Sequence, residues 1–195
     1  MKRLFDSTFS FLGILLLSPL FILISFFIFI GSGLPVFFLQ RRVGENAKDF
    51  SLIKFRTMKK DADKGGLLTV GEKDSRITSI GLFLRKYKLD ELPQLFNVLI
   101  GNMSLVGPRP EVRKYVELYN QEQKQVLSVK PGITDYASIQ YSNENELLGK
   151  AHNPEERYIK EVMPAKLQLN LKYIKEHNLL TDINIIFKTI GKIFS

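Results

Sequence analysis

The sequence predicts a mainly α fold with a small β element: a re-entrant membrane helix-break-helix over residues 1–39, then a compact cytosolic, membrane-associated domain over residues 40–195 with interfacial amphipathic helices. Three observations predict it. No charged residue occurs between Ser7 and Leu39, whereas almost every charge lies from Arg41 onward. Pro19 interrupts the apolar run directly after Ser18. The last third of the chain spaces apolar residues at helical intervals beside lysines and glutamates.

The run from Phe9 to Ile30 is mostly Phe, Leu and Ile. Its 22 residues make a helix of roughly 33 Å, long enough to cross a hydrocarbon core of about 30 Å. It is too long for a signal peptide, and no Ala-x-Ala-like cleavage site follows it. Proline removes one helix hydrogen bond and clashes with the preceding turn. In lipid the freed carbonyl needs another partner, and the Ser18 hydroxyl can supply one. Both flanks are basic: Lys2 and Arg3 precede the run, and Arg41, Arg42 and Lys48 follow it. The positive-inside rule asks for both on the cytoplasmic face. A straight crossing cannot satisfy that; a helix that breaks at Ser18-Pro19 and returns can. A spanning helix is the alternative.

Gly31, Gly33 and Pro35 end the helix. Val36–Gln40 and Phe50–Phe55 read as short strands around a polar turn near Gly44-Glu45-Asn46. Residues 59–74 are polar and read as a mobile surface loop. Ile80–Lys86 reads as a short helix, and Leu92–Leu99 as another with Gly101 as its C-terminal cap. Val106–Pro110 reads as irregular, Glu111–Leu127 as helical, and Lys130-Pro131-Gly132 as a turn. Pro154–His177 is a long amphipathic stretch that Pro164 divides into two helices. Thr181 or Asp182 caps a last helix, whose apolar face, Ile183 to Phe194, meets Lys188 and Lys192. Such faces suit either a membrane interface or the core.

The net charge of +8 suits an anionic partner: nucleic acid, an anionic lipid surface or a phosphorylated substrate. Nucleic acid ranks last, because the chain has no tryptophan and no aromatic-basic motif of an RNA-binding sheet. Cysteine is absent, which excludes disulfides and fits a reducing compartment.

Asp90 and Glu91 are the centre of the chemical reading. Adjacent acids also occur at helix starts, where the dipole favours them, and Pro93 marks such a start. Their surroundings argue for more. Arg85 lies just before them, Arg109 follows between two prolines, and Lys54 and Arg56 alternate on a strand-like segment. Carboxylates among fixed cations suit phosphoryl chemistry: a carboxylate can hold Mg²⁺ or attack phosphorus, and arginines clamp phosphate oxygens. His152 and His177 read as surface residues rather than a metal pair.

Four segments carry a resemblance: Lys-Phe-Arg-Thr-Met (54–58), Leu-Asp-Glu-Leu-Pro-Gln-Leu-Phe-Asn-Val-Leu (89–99), Gly-Asn-Met-Ser-Leu-Val-Gly-Pro-Arg-Pro (101–110) and Lys-Pro-Gly-Ile-Thr (130–134). They resemble the bacterial sugar transferase family, the monotopic phosphoglycosyl transferases, and the chain looks like its small form, without extra N-terminal membrane helices. The resemblance implies transfer of sugar-1-phosphate from a UDP-sugar to polyprenol phosphate, with undecaprenyl phosphate the expected acceptor, and release of UMP. It implies Asp90 as nucleophile, Glu91 as the Mg²⁺ ligand, and Lys54, Arg85 and Arg109 as basic residues of the site. Arg56 is added on charge and spacing alone. The implied place is the cytoplasmic face of the bacterial inner membrane, at the first membrane step of capsule, O-antigen, exopolysaccharide or glycoprotein glycan synthesis, with downstream glycosyltransferases as possible partners. The chain departs from the family at Asp135-Tyr136 and at Asn170, where relatives carry an acid. Residues 138–154 are where sugar specificity is expected. Two other readings stay open: a phosphohydrolase using the same aspartate with water as acceptor, and a non-catalytic scaffold binding anionic lipid.

Overall fold

The computed structural model describes residues 1–60, 62 and 74–193. The chain opens with α1 (Lys2–Ser32), one helix of 31 residues that runs through Pro19 without interruption. The expected helix-break-helix is therefore corrected to a single helix. The reason lies in the residue before the proline. Pro19 leaves the Leu15 carbonyl without its N–H partner, and the Ser18 hydroxyl donates to that carbonyl at 2.8 Å. The bond that should have broken the helix is replaced from within it.

Strands β1 (Phe37–Val43) and β2 (Asp49–Phe55) form an antiparallel ribbon, joined through a tight turn over Glu45–Ala47, as the alternating pattern predicts. The expected loop over 59–74 lies almost wholly outside the described residues, as does Phe194 of the last apolar face. Helix α2 (Ser79–Lys86) starts at Thr78, whose hydroxyl accepts the Gly81 N–H at 3.0 Å. Helix α3 (Gln94–Ile100) ends at Gly101, which adopts φ 96°, the left-handed cap that glycine enters without steric cost.

Some of the segment expected to be irregular is a strand. β3 (Ser104–Val106) pairs in parallel with β4 (Gly132–Thr134). The helix expected over Glu111–Leu127 is also corrected: only α4 (Arg113–Val116) and a 3₁₀ segment, Gln123–Ser128, form there. A reciprocal cap restarts the chain midway: the Asn120 N–H donates to Gln123 Oε1 at 2.9 Å and the Gln123 N–H donates to Asn120 Oδ1 at 2.8 Å, which satisfies the free donors of a new helical start.

Short helices α5 (Tyr136–Gln140) and α6 (Glu144–Gly149) lead to α7 (Pro154–Arg157) and α8 (Met163–Glu176). Pro164 does not divide the stretch as expected. A π turn over Tyr158–Val162 joins α7 to α8, and this widened turn absorbs the bond that Pro164 cannot make. Helix α9 (Leu179–Ile193) is capped by Asn178, whose side-chain oxygen accepts the Thr181 N–H at 2.9 Å, rather than by Thr181 or Asp182.

Three contacts position the site. Phe21, Ile24 and Ile28 of α1 pack with Phe55 and Leu84, so the apolar helix belongs to the core. Asn97, fully buried, holds the free edge of β2: it accepts the Ile53 N–H at 2.9 Å and donates to the Ser51 carbonyl at 2.8 Å. Gly107 and Gly132 meet backbone to backbone, and a Cβ on Gly132 would lie 2.0 Å from the Gly107 nitrogen. Both ends of α1 are bonded to this body. Lys2 pairs with Asp182, and Arg3 donates to the Leu99 carbonyl at 2.8 Å. At the far end Arg56 donates to the Ser32 carbonyl at 2.7 Å.

Outward-facing apolar residues are concentrated on α1, with Leu16 80% and Ile22 72% exposed. Others lie on α2 (Leu82, Phe83), on β1 (Phe37, Phe38, Leu39) and on α9, where Leu180 and Phe187 face out while Ile185 is buried. The last helix thus has apolar groups on both sides, one against the core and one outward.

Candidate active site

Lys88 takes a left-handed conformation, φ 55°. This sharp bend, unusual for a residue with a side chain, sets Leu89–Glu91 as a single 3₁₀ turn ahead of α3. Asp90 and Glu91 leave that turn into different surroundings. Glu91 accepts Lys54 Nζ at 3.0 Å and Arg109 Nη1 at 3.1 Å, with a second, shorter contact from Arg109 Nη2. Asp90 is buried, and no side chain among the described residues donates a hydrogen bond to its carboxylate.

The electrostatics follow from that division. Burial, and then the charge of Glu91, push the Asp90 carboxyl up from the usual carboxylate range, against the pull of Lys54, Arg85 and Lys88. Burial would raise Glu91 as well, but Arg109 and Lys54 outweigh it and hold Glu91 well below that range. Burial lowers Lys54 and Arg85, while Glu91 raises Arg109. One carboxylate is locked in its charged form. The other is desolvated and free to react, the arrangement that separates roles in paired-acid sites.

Each cation has its own support. Lys54 projects from β2, whose edge Asn97 holds. Arg85 of α2 donates Nε to Thr57 Oγ1 at 2.9 Å. Arg109 follows the Gly107–Gly132 contact, and its backbone N–H donates to Asp135 at 3.2 Å. Asp135, fully buried, also caps α5 by accepting the Ser138 N–H at 2.6 Å.

The structure thus brings together Asp90, Glu91, Lys54, Arg85 and Arg109. It does not bring in Arg56. β2 ends at Phe55, so the alternation that paired Lys54 with Arg56 stops one residue short. The Arg56 guanidinium instead donates to the Ser32 and Gly33 carbonyls at 2.7 and 2.6 Å, where the C-terminus of α1 attracts a cation. Residue type and spacing alone do not mark Thr57, Asn97 or Asp135 as site residues. Thr57 and Asn97 lie inside the motifs at 54–58 and 89–99, the only signal they carry. His152 and His177 are exposed.

Among the described residues no three His, Asp or Glu side chains form a metal cage. Mg²⁺ needs none, since it takes one or two carboxylates with phosphate oxygens and water. Glu91 Oε2 accepts the Arg109 Nη1 bond and keeps one acceptor direction. The residues present fit a Mg²⁺ held by a carboxylate and a bound diphosphate.

The profile of the family described as bacterial sugar transferase matches residues 1–195. A UDP-N-acetylgalactosamine-undecaprenyl-phosphate N-acetylgalactosaminephosphotransferase of Aeromonas hydrophila is 36% identical over 100% of this chain and 44% of its own length. A UDP-glucose:undecaprenyl-phosphate glucose-1-phosphate transferase of Escherichia coli (strain K12) is 36% identical over 100% of this chain and 40% of its own. The uncharacterized sugar transferase EpsL of Bacillus subtilis (strain 168) is 36% identical over 99% of this chain and 87% of its own. The chain spans less than half the length of the first two of these relatives. With a match along its whole length, the chain belongs to the bacterial sugar transferase family.

Proposed function

We propose that this protein transfers sugar-1-phosphate from a UDP-sugar to a polyprenol phosphate, undecaprenyl phosphate being the acceptor named for its relatives. The observation that carries the reading is the division between Asp90 and Glu91. A buried carboxylate without a hydrogen-bond donor is a competent nucleophile, and the cations around it suit two anionic substrates in succession. A carboxylate oxygen of Asp90 attacks the β-phosphorus of the donor. The bond from that phosphorus to the bridging oxygen breaks, and UMP leaves with the electron pair. An oxygen of the lipid phosphate then attacks the same phosphorus, the Asp90 ester bond breaks, and the carboxylate is restored. In this reading Arg109 and Lys54 hold phosphate oxygens, and Glu91, which accepts from both, keeps them aimed. Mg²⁺, held at Glu91, would supply charge neutralisation for the diphosphate.

The lipid acceptor asks for a site at a membrane surface. Support comes from the outward apolar residues of α1, α2, β1 and α9 and from the bonding of both ends of α1 to one polar body. A helix that crossed the bilayer would separate its ends by the thickness of the membrane. The proposal is therefore a chain that enters one leaflet from the cytoplasmic face of the inner membrane.

A UMP-release assay with purified protein, Mg²⁺, undecaprenyl phosphate and a panel of UDP-sugars tests the reaction. Release coupled to a lipid-linked sugar diphosphate is expected. Free sugar phosphate without a lipid product would establish the phosphohydrolase. With acceptor withheld, mass spectrometry should find the phosphosugar on the Asp90 peptide, and its absence under single-turnover conditions would exclude the covalent route.

A further inference from the structure

A cavity of about 130 Å³ borders the site at Arg109. Arg42, Tyr119, Glu144, Tyr158, Lys166 and Asn170 also line it. Arg109 therefore borders two regions: its guanidinium holds Glu91, and the residue also contributes to this wall.

Asn170 is only 5% exposed, and its side-chain Oδ1 has no hydrogen-bond partner among the described residues. An unmade bond at a buried amide is costly in a folded chain. It becomes useful where a ligand supplies the missing donor.

The charges of the cavity are paired off within its own wall. Lys166 donates to Glu144 at 2.6 Å, Arg42 donates to Glu111 at 3.0 Å, and Tyr158 Oη donates to Glu111. Such a wall does not call for a second phosphate. It suits a neutral ligand rich in hydroxyls, which the tyrosines can cover while the polar groups fix its orientation.

Connectivity names the ligand. If the β-phosphate reacts between Asp90 and Arg109, the sugar is bonded directly to it. The nucleoside is removed from it by the α-phosphate. A cavity that shares Arg109 with the reacting centre is thus one bond away from the sugar.

We propose that this cavity is the subsite for the donor's sugar ring, and that Asn170 is a specificity-determining residue whose amide bonds a ring hydroxyl or acetamido group. The proposal rests on the transferase reading above and extends it to the portion of the substrate that the reaction leaves unchanged.

The test compares kcat/KM for the best donor and for its epimers in the wild type, Asn170→Ala and Glu144→Gln, with UMP product inhibition measured alongside. Asn170→Ala should shift the ratio between donors by about tenfold, the loss of one discriminating hydrogen bond, with UMP inhibition unchanged. Glu144→Gln reads the same wall if Asn170→Ala fails to fold, because the Glu144 side chain is 25% exposed and tolerates change. Donor ratios within twofold of wild type in the variants would overturn the proposal. So would equal weakening of every donor together with weaker UMP inhibition, which would assign the cavity to the nucleotide. If the wild type itself released no UMP from any donor, the transferase reading would fall and this proposal with it.

Discussion

Asp90 and Glu91 are neighbours in the chain with opposite surroundings, and the difference makes predictions that a pair of equivalent acids would not. The fold raises Asp90 relative to the unfolded chain, so it favours the neutral form. That contribution to stability is complete below the unfolded pKa and is lost as pH rises through the raised one. Asp90→Asn should therefore abolish turnover yet stabilise the protein at pH 7 by about 1 kcal/mol, read as a higher Tm. As the proposed nucleophile, Asp90 must be ionised, so kcat/KM should rise with pH along an acid limb placed above the ordinary aspartate value of 3.8. Glu91 works in the other direction. Its folded pKa is depressed, so its stabilisation is present above the unfolded value and lost as pH falls through the folded one. Glu91→Gln should cost about 2 kcal/mol at pH 7, the low end for a paired buried charge, because the Arg109 side chain keeps 34% of its exposure. The same variant removes the negative neighbour of Asp90, so the acid limb should move to lower pH. A limb that stays in place would show that Glu91 does not set the ionisation of Asp90.

At the scale of elements, the site is aimed by backbone contacts between short pieces. Arg109 lies two residues beyond Gly107, and a Cβ on Gly132 would fall 2.0 Å from the Gly107 nitrogen. Neither glycine can accept a side chain without separating β3 from β4. Gly132→Ala should lower kcat/KM at least as much as Arg109→Ala, while circular dichroism shows the helices intact; normal activity would mean that the strand pair does not place the arginine. Asn97 acts similarly on Lys54. It makes two buried bonds to the edge of β2, and Asn97→Ala should cost about 1–3 kcal/mol, checked by chemical denaturation. These elements were unevenly legible. The ribbon β1–β2, α2 and the Gly101 cap are legible because alternation, a short apolar spacing and a glycine at a helix end are local signals. The parallel pair β3–β4 is not, because its partners lie 28 residues apart, Ser104 against Gly132, and nothing local announces such pairing. The two prolines are a different case: Ser18 and a π turn supply locally what Pro19 and Pro164 remove, so neither proline breaks its helix.

For the whole molecule, the apolar helix is at once part of the core and the main outward apolar surface. Phe21, Ile24 and Ile28 pack under the site while Leu16 and Ile22 face outward. The absence of cysteine makes the topology directly testable. Single cysteines, one in place of Lys48 and one inserted after Met1, should both react with an impermeant maleimide in inside-out vesicles and in neither case in intact spheroplasts. Labelling of the two positions from opposite sides would replace the one-leaflet arrangement with a crossing. By itself the sequence determined the apolar head, the basic body, the mainly helical class and the motif residues Asp90, Glu91, Lys54, Arg85 and Arg109. These depend on hydropathy, local periodicity and residue type, which a linear chain carries. Only the tertiary structure decided that Arg56 belongs to the end of α1, that Asp135 and Asn97 hold the cations in place, and that Glu91 is paired while no side chain among the described residues donates to Asp90. Those outcomes depend on which groups meet across the fold and how much water remains between them, and burial and distance exist only once the chain has closed on itself.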